Sequence, residues 1–477
     1  MSSFNTTNDD FDLKPKRYRT LDEFYNEAHQ SLEADRIGYL IIFIALGLAN
    51  VGDASESGSV NFLLADEDFQ KELLGDNDGF LASSLYIGML VGGIFTGPIS
   101  DVRRGRRTVL MMGLLITSCF GIISALSGTF WQLCICRAVV GVGVGTVGSS
   151  LLALTTEHTP SAQRGRYIAL VSASWTIGAV YVAVVAFWLF GTLNTSWRIY
   201  LLVNAIPSFL ALVMVWLFVP ESARHLALQG HYREATAVAN YLGESMGHTE
   251  RAMQLEEINA QFNVKREDKT LRQVVMSIRN LYRKNIRGRT LIIQFTWFTL
   301  TYASGINVWL ARLYSDMEMP HVYTLGLVYA LGSLPANVVA YYLIDRFSRV
   351  RLLVASGFLM TLSLAVFSTI SEYSQNPLMF MTVGCVLNLT YVLSWTVLAV
   401  VTAESFPTSV RSTAVGVSAA TGRLAAIAMN LVTGTLLNQA TAPTIIFGIS
   451  GMASFLGVLM LVIVPIPNMT GEPLEDI

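Results

Sequence analysis

The chain has 477 residues, of which 52% are hydrophobic and only 14% are charged, and its net charge at pH 7 is −2. Soluble globular domains carry about 25% charged residues, so this composition excludes an ordinary soluble protein and predicts many membrane-spanning helices. The balanced charge offers no basic patch of the kind that binds nucleic acid, so no nucleic acid is expected as a partner.

The first 36 residues are polar and are predicted to form a cytoplasmic segment outside the membrane. They end in LDEFYNEAHQSLEADR at 21–36, where apolar residues recur at the spacing of an amphipathic helix. Such a helix could lie on the membrane surface or stand in solvent. We predict the solvated helix.

Twelve stretches of about 20 mostly apolar residues follow, each long enough to cross a bilayer as a helix. The predicted spans are 37–64, 79–100, 108–127, 131–155, 167–190, 198–219, 289–314, 322–344, 352–371, 378–402, 412–436 and 441–465. The predicted regions are the segment 1–36, an N-terminal six-helix bundle at 37–219, a cytoplasmic linker with short helices at 220–288, a C-terminal six-helix bundle at 289–465 and a cytoplasmic tail at 466–477.

The loops between spans alternate in charge. The loop at 101–107 contains four arginines, whereas the loop at 65–78 contains six acids and one lysine. Because basic loops stay in the cytoplasm, both termini are predicted to be cytoplasmic. The plasma membrane is the default location, and a vesicle or organelle membrane is the alternative.

Two short patterns occur once in each half of the chain. Glu-x-x-Pro-x-x-x-Arg occurs with the same spacing at 157–164 and 404–411, and an aspartate with arginines follows spans 2 and 8 at Asp101 and Asp345. Two matches in the same order indicate duplicated six-helix halves. Parallel repeats of this kind place a solute site near the membrane midplane, between the halves.

These motifs resemble those of the major facilitator superfamily over essentially the whole chain. GPISDVRRGRR at 97–107 is similar to that superfamily's signature between the second and third helices, although Val102 separates the aspartate from the arginines. DRFSRVR at 345–351 resembles a weaker second copy, and PESARHL at 220–226 is typical of the sugar and organic-ion branches. The resemblance implies an all-α membrane protein with twelve transmembrane helices in two pseudo-symmetric halves, in which a monomer suffices for transport by alternating access.

Further motifs resemble one branch of the superfamily, the organic-ion transporters and the synaptic-vesicle-protein-2-related proteins. They are GDASES in span 1, AESFPTSVRSTAVG at the start of span 11 and TGRLAAI within span 11. The branch includes transporters of organic cations, aromatic acids and nicotinate-like solutes, so the resemblance does not identify the solute.

Asp53 and Glu56 are separated by one helical turn inside span 1, so a helix carries both carboxylates on one face. An ionised carboxylate at the centre of a membrane helix costs roughly 2.5–3.5 kcal/mol, and such residues usually face a water-filled path or a charged partner. Arg137 inside span 4 is the expected counter-charge for either acid. These three residues are predicted to couple protons to transport, and a purely structural ion pair is the alternative.

Arg423 in span 11 is a second intramembrane cation. In the organic-ion branch, the resemblance implies that an arginine at this position faces the substrate and suits a carboxylate. Aromatic rings in neighbouring spans suit aromatic or cationic solutes, although a single ring more often packs between helices or faces lipid. The predicted substrate-binding residues are Asp53, Glu56, Trp175, Trp297, Tyr302, Asn307, Asn388, Tyr391, Trp395 and Arg423.

Charged residues at the cytoplasmic ends of the spans are predicted to form a gate. Ion pairs across the two halves would close the inner side in the outward-facing state and separate as the halves rock. The alternative is that the arginines only set the topology. The predicted gate residues are Asp101, Arg103, Arg104, Gly105, Arg106, Glu157, Arg164, Asp345, Arg349, Glu404 and Arg411.

The sequence therefore predicts a secondary active transporter that moves a small organic ion or zwitterion, coupled to protons. A hexose-type sugar transporter is the first alternative, because ASGIN at 303–307 resembles a sugar-porter pattern. A transporter-fold vesicle or receptor protein without transport is the second. No Ser–His–Asp arrangement, HExxH motif or phosphate-binding loop occurs, so neither an enzyme activity nor a cofactor or metal is predicted. The expected partners are a small organic solute, H⁺ and the lipid bilayer.

Overall fold

The computed structural model describes residues 19–30, 37–75, 77–99, 105–247, 252–262, 276, 278–284, 286–344, 346–374, 376–406, 411–437, 439 and 442–464. Helices make up the regular structure of these ranges. The spans are, in order, Ile37–Ala65, Asp78–Ile99, Arg106–Ala125, Phe130–Glu157, Arg164–Leu189, Trp197–Phe218, Arg287–Ser304 with Leu310–Asp316, Val322–Leu331 with Ser333–Leu343, Arg349–Tyr373, Pro377–Glu404, Arg411–Leu436 and Ala442–Ile463, and we number them spans 1 to 12.

Ten of these described segments are long and apolar enough to cross a membrane. Span 2 is not among the ten, because its described apolar part, Asp78–Ile94, is shorter than the others. Span 7 has polar residues, among them Gln294, along its first helix and is not continuous. It changes to a 3₁₀-helix at Gly305–Val308 before Leu310–Asp316 continues it. The predicted span at 289–314 therefore consists of two helices joined by a 3₁₀ turn.

The break in span 7 occurs where the chain contacts another helix closely. A Cβ atom on Gly305 would lie 3.0 Å from the side chain of Met429 in span 11. Span 8 is likewise divided at Gly332, where a Cβ atom would lie 2.9 Å from the backbone of Cys385 in span 10. Glycine permits both approaches because it has no side chain to displace.

The halves have the same internal arrangement. Span 4 packs against spans 2 and 3, and span 1 packs against spans 5 and 6. In the second half, span 10 packs against spans 8 and 9, and span 7 packs against spans 11 and 12, which are the corresponding pairs. Span 2 contacts span 11 across the boundary, span 5 contacts span 8, and span 1 contacts the second helix of span 7. We call the end with Gly105–Arg107 the basic face and the end with Asp66–Asp78 the acidic face.

The N-terminal helix Leu21–Gln30 is not a solvated helix, in contrast to the prediction. Leu21, Phe24 and Tyr25 are fully buried against the protein, and the helix packs on the linker helix Tyr232–Met246. Asp22 adds ion pairs to two arginines at the basic face, Arg164 of span 5 and Arg224 of the linker. The apolar stripe needs a partner surface, and the linker supplies one inside the same chain.

The linker contains three short described helices, Ala223–Leu228, Tyr232–Met246 and Leu255–Phe262. They pack on one another, and Tyr232–Met246 also packs on the N-terminal helix and directly on span 1. A further short linker helix is predicted at 271–282, and half of its twelve residues lie outside the described ranges. The predicted boundaries of the five regions stay predictions.

Candidate functional site

A buried ion pair joins spans 1 and 4. Arg137 Nη1 lies 2.8 Å from Glu56 Oε2, and both side chains are at most 1% exposed. Ser124 of span 3 completes the arrangement, since its Oγ accepts from Arg137 Nε at 3.1 Å and from Nη2 at 2.6 Å. A buried pair is retained only where short contacts compensate its desolvation, and here three spans provide them.

The position of Glu56 depends on a missing side chain in span 3. A Cβ atom on Gly121 would lie 2.2 Å from Glu56 Oε1, so only glycine leaves room for this carboxylate. Ser59 is one turn further along span 1 and lies 3.4 Å from Arg137 Nη1. The pair is therefore held on several sides within the first half.

Asp53 differs from Glu56 although both lie on span 1. Both are 1% exposed, and Asp53 Oδ1 and Glu56 Oε1 each have no hydrogen-bond partner among the described residues. The difference is that Glu56 has an ion pair to Arg137, whereas no described cation pairs with Asp53. Of the two acids that Arg137 was expected to be able to neutralise, it pairs with Glu56. Asp53 remains a buried carboxyl group whose charge no described cation compensates, which is costly for its ionised form.

Three predicted aromatic residues of the second half lie together. Trp297 of span 7 contacts Trp395 of span 10 edge-to-face with ring centroids 5.0 Å apart, and Tyr391 follows at 6.4 Å from Trp395. The indole Nε1 of Trp297 donates to Thr402 Oγ1 at 2.8 Å, which fixes its ring. Trp395 is 38% exposed, so this cluster presents an open aromatic surface.

Arg423 lies at the boundary between the halves. Its Nη1 would be 3.0 Å from a Cβ atom on Gly93 of span 2, so glycine again makes space for a charged side chain. The preceding residue, Gly422, packs on Trp297 and Thr301 of span 7. Among the described residues, the half-buried guanidinium has no ion-pair or hydrogen-bond partner.

Trp175 lies on the opposite side of span 5 from the helix's exposed apolar stripe. Leu170, Ile177, Val184 and Trp188 recur at helical spacing and form an apolar exposed stripe suited to lipid. Trp175 is 41% exposed and lies about 160° from Ile177 around the helix axis. Trp175 therefore points away from this stripe, and its contact with solute stays a prediction.

The remaining predicted binding residues are engaged in packing. Asn307 accepts a hydrogen bond from the hydroxyl of Tyr329. Asn388 is 6% exposed and donates to the carbonyl of Tyr329 at 2.6 Å, which ties span 10 to span 8. Tyr302 is half-buried and its ring stacks on Phe298. Amide groups already used in this way are poor candidates for solute contact.

The described gate residues pair within each half. Arg106 Nε lies 2.9 Å from Glu157 Oε1, which joins the start of span 3 to the end of span 4. Arg349 pairs with Glu404, joining the start of span 9 to the end of span 10 in the same way. Arg411 donates through Nε to the carbonyl of Phe406 at 3.3 Å, and therefore also stays in its own half.

The rest of the predicted gate is accounted for as follows. Gly105 has a φ of +78°, and a Cβ atom there would lie 2.2 Å from the carboxylate of Glu221. This carboxylate accepts hydrogen bonds from the backbone N–H groups of Arg106 and Arg107. Arg164 pairs with Asp22 of the N-terminal helix at 3.3 Å. Asp101, Arg103, Arg104 and Asp345 lie outside the described residues.

Contacts between the halves concentrate at the acidic face, which sequence reasoning missed. Asn61 of span 1 accepts from the backbone N–H of Ala311 in span 7 at 3.0 Å. Arg312 donates to the carbonyl of Leu64 at 3.3 Å and lies 3.9 Å from Asp78 of span 2. Asn61 and Arg312 are polar residues in otherwise apolar stretches, the signal that could have found them.

Close contacts at two glycines complete the closure of the acidic face. A Cβ atom on Gly434 of span 11 would lie 2.6 Å from the backbone of Gly79 in span 2. A Cβ atom on Gly326 of span 8 would lie 2.5 Å from the ring of Phe62 in span 1. The halves thus touch at this face through positions where a larger residue would separate them. No group of three or more His, Cys, Asp or Glu residues able to hold a metal occurs in the described ranges.

The family model of the sugar (and other) transporters matches residues 53–477. The niacin transporter NiaP of Acinetobacter baylyi is 26% identical over 408 residues, which are 84% of this chain and 88% of that protein. Synaptic vesicle glycoprotein 2A of Rattus norvegicus is 26% identical over 314 residues, 58% of this chain and 42% of that protein. The E. coli xylose transporter XylE, in a partially occluded inward-open conformation, has the same fold, with a TM-score of 0.73, 19% identity and coverage of 91% of this chain and 99% of XylE.

These matches agree with the sequence motifs and with the twelve-helix arrangement. Solved structures of the fold include partially occluded and inward-open conformations of XylE, as expected for proteins that work by alternating access. The chain belongs to the sugar (and other) transporter family of the major facilitator superfamily, in the branch of organic-ion transporters and synaptic-vesicle-protein-2-related proteins, and is a multi-pass membrane secondary transporter.

Proposed function

We propose that this protein moves a small organic anion or zwitterion together with a proton, and that aromatic monocarboxylates of the niacin type are its first candidate solutes. The observation that carries the proposal is Arg423, a half-buried guanidinium without a described partner at the boundary of the halves. A cation that no described residue neutralises is suited to an anionic ligand.

The aromatic cluster next to Arg423 supports an aromatic solute. Trp297 touches both Gly422, the neighbour of Arg423, and Trp395, whose ring is partly exposed. A flat ring carrying one carboxylate could place its charge on the guanidinium and its face on the indoles. The niacin transporter that resembles this chain is named for a solute of this kind.

Asp53 is the proposed proton carrier, whereas Glu56 and Arg137 position span 1. Arg137 already has a carboxylate partner, and breaking that buried pair would leave an uncompensated charge. Asp53 has no described cation beside it, so a proton can neutralise it without disrupting an ion pair. Protonation of Asp53 and binding of the anion at Arg423 would then bias the same rocking equilibrium.

The proposed orientation places the basic face in the cytoplasm, with both termini, in the plasma membrane. Arginine-rich loops at that face support this orientation through the positive-inside rule. The predicted monomer is part of the same proposal. With the acidic face closed, the described arrangement would be open or partly open towards the cytoplasm.

Uptake of labelled nicotinate into proteoliposomes under an inward proton gradient tests the proposal. Nicotinamide serves as a matched solute with the same ring and no carboxylate, and xylose tests the sugar alternative. We expect accumulation of nicotinate, and a KM raised roughly tenfold to a hundredfold in Arg423→Gln, since hydrogen bonds to charged groups contribute about 1.5–3 kcal/mol.

Two carboxylate variants separate the roles within the first half. Asp53→Asn should keep its thermal stability and exchange nicotinate down a gradient, but lose accumulation driven by the proton gradient. Glu56→Gln should lower the thermal stability, because it removes one partner of a buried pair. The proposal is wrong if Arg423→Gln transports nicotinate like the wild type, or if Asp53→Asn still couples uptake to the proton gradient. Accumulation of xylose instead of nicotinate would support the sugar alternative.

A further inference from the structure

Two apolar grooves lie on the outer surface of the bundle, one in each half and both towards the basic face. The first runs between spans 3 and 6, and six of its lining residues are Thr108, Met111, Met112, Leu115, Leu212 and Trp216. The second runs between spans 9 and 12, and six of its lining residues are Arg351, Val354, Ala355, Phe358, Phe455 and Leu459. Neither belongs to the solute site described above.

The two grooves are copies of one feature. Each of the six residues in the first groove matches one in the second groove, 243 positions later in the chain. Thr108 thus corresponds to Arg351, and Trp216 to Leu459. The same offset relates Arg106 to Arg349, the arginines that pair with the ends of spans 4 and 10. The groove is therefore part of the duplicated architecture, and the first copy is an internal control for the second.

The copies differ most at their mouths. Where the first groove has the neutral Thr108, the second has Arg351, in the first turn of span 9 at the basic face. Arg351 is exposed, and its side chain has no ion-pair or hydrogen-bond partner among the described residues. The other lining residues of both grooves are uncharged and almost all apolar, so Arg351 is the one charged residue among them. Beside the first groove, the guanidinium of Arg107 is engaged, because it donates through Nη2 to the Trp216 carbonyl at 2.7 Å.

We propose that the groove between spans 9 and 12 binds an anionic phospholipid, with an acyl chain against the apolar wall and the phosphate on Arg351. The wall from Arg351 to Phe358 extends about 10 Å along the helix, which is from the membrane interface into the hydrocarbon region. Phe358 and Phe455 are 54% and 41% exposed, so the wall is open to a chain. A guanidinium forms paired hydrogen bonds with phosphate oxygens, and a basic residue at the surface attracts anionic lipid.

Lipid binding to the purified full-length protein tests this site without any need for transport. Native mass spectrometry would count phosphatidylglycerol and phosphatidylcholine molecules bound to the wild type and to Arg351→Thr, which copies the first groove. We expect a preference of about fivefold for phosphatidylglycerol at one site, the ratio expected for one basic residue at the interface, and its loss in Arg351→Thr. Thr108→Arg should create a second site of similar preference.

Three results would overturn the proposal. The first is an unchanged preference for phosphatidylglycerol in Arg351→Thr at unchanged thermal stability, and the second is no preference in the wild type. The third concerns residues 465–477, which follow span 12 and include Glu472, Glu475 and Asp476. If removal of 465–477 is needed before phosphatidylglycerol binds, the tail and not a lipid is the partner of Arg351.

Discussion

At the acidic face some of the described polar contacts join the two halves, whereas at the basic face the described ion pairs between spans stay within one half each. Arg312 and Asn61 bridge the halves on the acidic side. On the basic side, Arg106 pairs with Glu157 and Arg349 with Glu404, each inside its own bundle. The difference suggests that the within-half pairs keep each bundle rigid, while the contacts across the acidic face determine which side of the protein is open.

Gly434→Val should have the largest effect, because it makes closure of the acidic face sterically impossible. A Cβ atom on Gly434 would meet the backbone of Gly79 at 2.6 Å, and backbone atoms cannot move aside without separating the halves. We expect transport to fall to near background. A cysteine at position 311, buried at the boundary, should become accessible to an impermeant maleimide when the other cysteines are replaced.

Gly416→Val is the matched control, because Gly416 lies on the same span and a Cβ atom there has nothing within 4 Å. It should label and transport like the wild type. A Gly434→Val protein that transports normally would show that the acidic face is not closed by this contact.

Arg312→Gln should also increase the population of molecules with an open acidic face, but by less than Gly434→Val does. The arginine is 17% exposed and contacts Asp78, Asp316 and the Leu64 carbonyl, so its loss leaves buried acceptors unpaired. A change of about 1–3 kcal/mol corresponds to roughly a fivefold to hundredfold change in the population with an open acidic face. The maleimide labelling rate at position 311 measures it.

Arg198→Gln serves as the control for Arg312→Gln at the same face. Arg198 Nη2 lies 2.8 Å from Glu72 Oε1, but both residues belong to the first half. Its labelling rate should stay near that of the wild type. If both variants raised the labelling rate equally, the loss of any arginine at this face would open it. The contacts between the halves would then not be what keeps the acidic face closed.

A disulfide between cysteines at 157 and 411 should form only when the acidic face is open. The predicted gate requires Glu157 and Arg411 to approach across the halves, yet in the described arrangement Glu157 pairs with Arg106 and Arg411 with the Phe406 carbonyl. Cross-linking needs Cα atoms within about 7 Å. We expect little cross-linking in the wild type and much more in the Gly434→Val background.

Cysteines at 106 and 157 provide the control, because that pair lies within one half and should cross-link equally in both backgrounds. Equal cross-linking of 157 and 411 in both backgrounds would remove these two residues from the gate.

Glu72→Gln should have the smallest effect and should not change the open population. Glu72 accepts hydrogen bonds from Arg198 and Trp197, and these bonds lower the pKa of its carboxyl group. A lowered pKa stabilises the fold above the pKa of the unfolded chain, and this stabilisation is lost as the pH falls through the lower folded value. The melting temperature of Glu72→Gln should therefore lie slightly below that of the wild type at pH 7.

The difference between Glu72→Gln and the wild type should disappear at acidic pH. Glu67→Gln is the comparison variant, since Glu67 contacts only the exposed Lys71 in this loop. A change in labelling at position 311 in Glu72→Gln would contradict the assignment of this contact to one half.

The twelve spans, their basic and acidic loops and the duplication were predictable from the sequence, because hydrophobic length and charge act locally along the chain. Asp53, Glu56, Arg137 and Arg423 could be selected as candidates for the same reason, since charges are rare in apolar stretches. The roles of these residues as proton and substrate sites stay predictions.

Only the tertiary structure decided which charges meet. Arg137 could have faced either acid by its position in span 4, and the choice of Glu56 depends on the space at Gly121 and on the hydroxyl of Ser124, both in span 3. The closure of the acidic face depends in the same way on glycines that contact each other from distant parts of the chain, such as Gly79 and Gly434. Hydrophobic length acts within one helix, whereas complementary shape and charge pairing arise only when several helices pack together.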